Sequence, residues 1–199
     1  MEIEYFSSPV FATRELYEYL FVVSPGSEVY KKVMAEKQLF YEEYKEKIAI
    51  KTLPHITVAN FLASENMEET IIRWIQRICS KQPSFTVTLN NYSGFPRDTI
   101  YLRIQNATPF QQLTEELKVV DTYIRSCSCP SVRFISRPHL TIASSLPEEI
   151  YFKAITRYAR KSFYESFVVN ELLLLRRGHQ YDKCKPINVF GLQPAAMSC

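Results

Sequence analysis

Glycine is scarce in this chain, four in 199 residues, and no GxGxxG or GxxxxGK[ST] pattern occurs, so neither a dinucleotide fingerprint nor a P-loop is supported. The five cysteines, Cys79, Cys127, Cys129, Cys184 and Cys199, are odd in number and follow neither a disulfide framework nor a zinc spacing. Cys127-Ser-Cys129 is CxC, not CxxC, and the set reads as reduced thiols of a cytosolic protein. No apolar run approaches the roughly 20 residues of a membrane span. The opening "MEIEYFSS" has neither the basic nor the apolar region of a signal peptide, so a cytoplasmic location and no membrane partner are expected. Neither charge sign is in large excess. A net charge of +3 permits an anionic ligand without predicting a broad DNA-binding surface. What remains is an ordinary soluble composition, 46% hydrophobic and 23% charged, in a chain long enough for one domain of two closely packed lobes.

Histidine is rarer still, and its placement is informative. Two of the three histidines stand in nearly the same phrase, "LPHITVANF" at 53–61 and "RPHLTIASS" at 137–145. Both copies read Pro-His-apolar-Thr-apolar-Ala: Pro54, His55, Thr57 and Ala59, then Pro138, His139, Thr141 and Ala143. A single His-x-Thr carries little information. Two of three histidines acquiring threonine at +2 by chance is about a one-in-a-hundred event, before the proline and alanine are counted.

Elements around the two copies repeat as well. Residues 17–24 form a β-rich run, and the helix period runs from Ser27 to about Ile48. The first His strand covers 53–61. Asn66 with Glu69 predicts a capping box for a helix bearing Met67, Ile71, Ile75 and Ile78 on one face, and 84–92 alternates as a strand. In the second half, 99–104 is a strand, 109–126 an amphipathic helix and 138–145 the second His strand. Ser145 and Glu148 predict a cap for a helix to about Ser162. Residues 167–175 read as one strand and 186–192 as another, and "NNYSGFPRD" (90–98) is the most turn-like join. The expected fold is α/β (α+β): a single bilobal domain over 1–199, with lobe 1 at about 15–92 and lobe 2 at about 98–192. Each pseudo-symmetric lobe is a small, mostly antiparallel sheet with helices outside, and a cleft lies between them.

Side chains alternate along a strand, so His55 and Thr57 share a face, as do His139 and Thr141. If the lobes face each other, two imidazoles and two hydroxyls converge. A histidine pair suits acid–base chemistry, because a pKa near ~6.5 lets one ring accept a proton while the other donates. Threonine hydroxyls can bind an anion between them. The substrate that fits is a phosphodiester or cyclic phosphate, with an attacking group on one side and a leaving oxygen on the other. No metal or cofactor is called for.

Paired "PHITVA" and "PHLTIA", about 80 residues apart in a chain near 200, resemble the 2H phosphoesterases, and among them the 2′-5′ RNA ligase-like proteins and their cyclic phosphodiesterase relatives. The resemblance covers roughly 15–192. It implies a bilobal α/β fold with a cleft, metal-independent phosphoester chemistry, and a tetrad on His55, Thr57, His139 and Thr141. It also implies substrates such as RNA ends with a 2′,3′-cyclic phosphate, 2′-5′ linkages or ADP-ribose cyclic phosphate. Family members often continue the motif with arginine; here Asn60 and Ser144 stand in those places.

In "TIYLRI" (99–104), Tyr101 and Arg103 face away from the core side, and on the amino-terminal strand Tyr19 and Phe21 take the matching positions. These four are the candidate substrate-binding residues, to stack a base and neutralise a phosphate. His179, beside Arg176, Arg177 and Lys183, reads as a solvated basic turn, with contact to RNA backbone as the alternative. The charged helix 27–48 reads as a solvated face. The sequence thus favours a monomeric phosphodiesterase whose partner is an RNA end or nucleotide cyclic phosphate. The alternatives are an RNA- or nucleotide-binding protein with little catalysis and, least supported, a zinc hydrolase.

Overall fold

The structure, a computed structural model, describes residues 15–179 and 182–195; the amino-terminal "MEIEYFSS" and Cys199 lie outside them. Strand β1 (Tyr17–Val23) leads into helix α1 (Ser27–Tyr44) and the single turn α2 (Ile48–Lys51). The first motif opens β2 (Ile56–Ala63), followed by α3 (Glu68–Cys79) and β3 (Phe85–Phe95). After β4 (Thr99–Ile104) come α4 (Thr108–Glu116), α5 (Lys118–Ser126), the two-residue β5 (Arg133–Phe134) and the second motif strand β6 (His139–Ala143). Helix α6 (Glu148–Tyr158) and strands β7 (Tyr164–Val169), β8 (Glu171–Arg177) and β9 (Lys185–Gly191) complete the chain.

The strands form one sheet in the order β7-β3-β4-β6-β2-β1-β8-β9, with β5 on β2, and every ladder is antiparallel. The two motif strands sit at its centre and share a single ladder pair, Ile56 with Leu140. The sheet spreads outward from each of them, which gives the two-winged form expected from the repeat. Helices α1 and α6 lie on the β6 wing, while α3 lies against β9 and α5. The wings do not coincide with the halves of the sequence. Strand β3, from the first half, pairs with β4 and β7, and β8, from the second half, pairs with β1.

Several local expectations change. Helix α1 ends at Tyr44 because Lys45 turns into the left-handed region (φ 61°) and its N–H bonds the Tyr41 carbonyl, a common helix terminator. The 109–126 helix is two segments meeting at Leu117, and 167–175 is two strands parted at Asn170. Neither predicted cap residue stands at the N-cap of its helix, which is Met67 for α3 and Pro147 for α6. Asn66 falls inside a short 3₁₀ turn, where its side-chain oxygen accepts from Ser64 Oγ, and Ser145 sits at φ 54° ahead of Pro147, which precedes α6. Residues 90–95 continue β3, not a turn. Gly94 is needed there for proximity: a Cβ would lie 2.6 Å from the Tyr151 hydroxyl of α6. On α1, Val29, Val33, Lys37 and Phe40 are all buried, so its charges do not all lie on a solvated face.

Candidate functional site

Each motif histidine stands just behind the Ile56–Leu140 pair or at its edge, and antiparallel geometry fixes what meets there. From that single pair the antiparallel direction sets His55 toward the Thr141 side and Thr57 toward the His139 side. The two motifs therefore run head to tail at one strand junction, where Ile56 pairs with Leu140. All four side chains are half-buried while Ile56 and Leu140 beneath them are sealed in the core.

Both strands are bulged at the same point. Phe21 pairs with Ala59 but Val22 with Thr57, leaving Val58 extra; Ile100 pairs with Ala143 but Tyr101 with Thr141, leaving Ile142 extra. A bulge resets the alternation of faces. Val58 and Ala59 consequently both enter the core, as do Ile142 and Ala143. Asn60 and Ser144 return to the half-buried face with Thr57 and Thr141. The motif's alanine is the core half of a bulge.

The prolines orient the rings. A residue before proline is held extended, and the carbonyls of Leu53 and Arg137 accept a hydrogen bond from Nδ1 of His55 and His139, each at 2.8 Å. A carbonyl only accepts, so Nδ1 carries the proton and Nε2 is the nitrogen that can accept a proton when the ring is neutral and give one up when it is charged. Burial lowers both imidazole pKa values, against the raising effect of those carbonyls; at His55 the charges of Lys37, His139 and Arg177 lower it further.

The walls differ. On the His139 side, Phe95 stacks on Tyr101 (4.5 Å between centroids), and both rings pack against the imidazole, at 4.8 and 5.0 Å. Tyr101 is thus where its alternation predicted. Arg103 pairs with His139 in the ladder but is exposed, its Nε donating to the Asn90 carbonyl. Tyr19 and Phe21 are corrected: both are in the core. Tyr19 stacks on Phe61 and donates to Glu68 of α3, and Phe21 packs edge-on against Phe190. The β2 bulge at Val58 places Val22, not Phe21, opposite Thr57. On the His55 side the polar group is Arg177, whose Nε donates to Glu18, while Asn60 donates to the other oxygen of that carboxylate.

Arg176 and Arg177 are therefore the end of β8, not a loop; Arg176 is engaged by Glu65 and Glu68. His179 is in a bend, its N–H bonded to Asp182. Sequence reasoning missed Phe95, hidden in the supposed turn, and Lys37, although its helical spacing with Val33 and Phe40 was visible. Cys79 and Cys129 are buried thiols, and burial pushes Cys79 up to about 12. Among the described residues, no three of His, Cys, Asp or Glu gather as metal ligands would, and no helix is long and apolar enough to cross a membrane.

Comparison with known proteins gives concordant results. A family model described as the 2′-5′ RNA ligase superfamily matches residues 33–180. A Bacillus cytotoxicus protein that carries the name of a phosphoesterase is 27% identical over 125 residues, 61% of this chain and 69% of its own. Among solved structures, E. coli LigT complexed with 3′-AMP superposes with a TM-score of 0.65 at 18% identity, over 89% of this chain and 99% of that one. Protein TT0787 of Thermus thermophilus gives 0.62 at 14% identity, over 89% and 98%. These structural likenesses are of fold.

Proposed function

The chain belongs to the 2′-5′ RNA ligase superfamily, and from that premise we propose that it is a metal-independent phosphodiesterase acting on a cyclic phosphate or 2′-5′ phosphodiester at an RNA or nucleotide end. The observation that carries this reading is the Ile56–Leu140 pair, which joins the His55-x-Thr57 and His139-x-Thr141 strands, together with the charge effect of His139 on the His55 imidazole. Thr57 and Thr141 donate hydrogen bonds to the non-bridging oxygens of the phosphate. The neutral imidazole takes a proton from water on Nε2 as the water oxygen bonds to phosphorus. The bond from phosphorus to one ribose oxygen breaks, and Nε2–H of the protonated imidazole delivers its proton there. The product is a phosphomonoester, and the rings finish with their protonation exchanged, to be reset by solvent. The pair supplies both proton transfers, each worth on the order of 10²–10⁴ in rate.

Burial and three positive neighbours favour neutral His55, which supports His55 as the base and His139 as the acid in hydrolysis. The aromatic pair Phe95–Tyr101 supports a base lying on the His139 side. The crystallised complex of a fold neighbour with 3′-AMP is in keeping with a nucleotide in the cleft.

Incubation with nucleoside 2′,3′-cyclic phosphates and a short RNA ending in one, with chelator present, tests the reading. A single monophosphate isomer, lost in His55→Ala and His139→Ala, is expected. Turnover unchanged in both variants would defeat the mechanism. Tight binding with no turnover by the wild-type protein would move the assignment to a nucleotide-binding protein; the replacement of both motif arginines by Asn60 and Ser144 favours that second reading.

A further inference from the structure

Lys37 is fully buried in the apolar stripe of α1, and its ammonium has three partners: the carbonyl oxygens of Thr141 and Ile142, each at 3.0 Å, and Thr52 Oγ1 at 3.2 Å. An ammonium has three donors, and all three are used. Adjacent carbonyls of a regular strand point to opposite sides, so one ammonium can reach both only where the strand is deformed. That place is the β6 bulge, where Ile142 is the residue left over between the pairs Tyr101–Thr141 and Ile100–Ala143. The matching bulge of β2 is held differently: the Val58 carbonyl accepts the backbone N–H of Ile135 at 3.0 Å. One half of the site rests on a neutral amide, the other on a buried cation.

We infer that Lys37 is a positioning residue of the site, clamping the β6 bulge so that Thr141 faces the phosphate. The inference rests on the phosphodiesterase reading given above. Neutral side chains can fill an apolar stripe, and an ammonium there is unfavourable unless something requires its donors. The requirement is visible: without Lys37, two neighbouring carbonyls at the turning point of the motif lose the ammonium that bonds both. Burial pulls the ammonium down to about 8, so it stays mostly protonated at neutral pH and adds positive potential beneath the anion. The groups facing it are Thr52 on the α2 side and β6, and its charge reaches His55.

A double-mutant cycle distinguishes positioning from a merely structural role. Lys37→Met keeps the length and apolar character of the stem, and Lys37→Arg serves as a second variant should the methionine protein not fold. Folding is checked by circular dichroism and melting. Expected is a fall of roughly ten- to a hundredfold in kcat on a nucleoside 2′,3′-cyclic phosphate, with a smaller change in KM. Thr141→Ala should then add little in the Lys37→Met background, whereas Thr57→Ala should have its full effect in either background. The same cycle read in the affinity for inorganic phosphate does not depend on turnover. A wild-type protein without turnover but with the coupling intact sinks the activity reading and keeps the role of Lys37. Activity and phosphate affinity within about twofold of wild type in folded Lys37→Met, or equal coupling to Thr57 and Thr141, overturns it.

Discussion

Ile56 and Leu140 are the only ladder pair between β2 and β6 among the described residues, and both are wholly buried. This apolar pair sets His55 immediately before β2 and His139 at the start of β6, the relationship on which the proposed chemistry rests.

In the proposed mechanism, replacing either histidine removes one proton transfer. His55→Ala and His139→Ala should each lower kcat by about 10²–10⁴-fold, with melting temperatures close to wild type because both rings are only half-buried. Product formation by chromatography, beside thermal denaturation, checks both halves of the expectation.

Acid should weaken the fold through the same two rings. Burial holds both folded pKa values below the ordinary histidine value, near 6.5, so on acidification the unfolded chain takes up protons first. The stabilisation from keeping the rings neutral is full above about 6.5 and is lost as pH falls through the lowered folded values. Denaturant midpoints between pH 7 and 5 should therefore fall less steeply in a His55→Gln, His139→Gln double variant than in wild type.

Arg177 is held toward the His55 side by Glu18. Arg177→Gln should raise KM for an anionic substrate, by roughly 1.5–3 kcal/mol if the guanidinium donates to the phosphate, and should raise the His55 pKa by removing one of the charges that lower it. Steady-state kinetics and imidazole NMR titration read the two effects separately; an unmoved His55 titration would show the arginine lying away from the ring.

The Phe95–Tyr101 stack should be felt by a base and by nothing else. Tyr101→Ala should weaken nucleoside cyclic phosphates by roughly 1–3 kcal/mol while leaving a base-free ribose cyclic phosphate nearly unaffected. Comparing kcat/KM for the two substrates is sufficient.

Gly94→Ala should destabilise the protein by about 1–3 kcal/mol, because the new methyl would meet the Tyr151 hydroxyl at 2.6 Å and Ile155 Cδ1 at 3.0 Å. Urea denaturation of the variant measures this directly.

The sequence was most legible where chemistry and periodicity coincide. The His-x-Thr part of each motif, the strand 99–104 and the position of Tyr101 could be read from alternation, because the extra residues Val58 and Ile142 come after the threonines and none lies in β4. Tyr19 and Phe21 could not, since the β2 bulge at Val58 hands the position opposite Thr57 to Val22, and composition does not mark where a ladder slips. Lys37 escaped for another reason: residue type outweighed spacing, and a lysine in a charged helix reads as solvated until the carbonyls that bind it are seen. Arg177 was visible as part of a basic run, but its carboxylate lies at Glu18, 159 positions away, and local pattern does not reach that far.

The crossing of β3 and β8 between the wings has a consequence for heredity. A chain severed at the turn after Phe95 would give two fragments, one holding β3 without β4 and β7, the other holding β8 without β1. Neither piece could complete its own sheet, though mixed together they would have cause to reassemble. If the two motifs descend from one ancestral unit, the exchange of strands made the copies mutually obligate: each half now carries part of the other's scaffold, and neither can be discarded or shuffled alone.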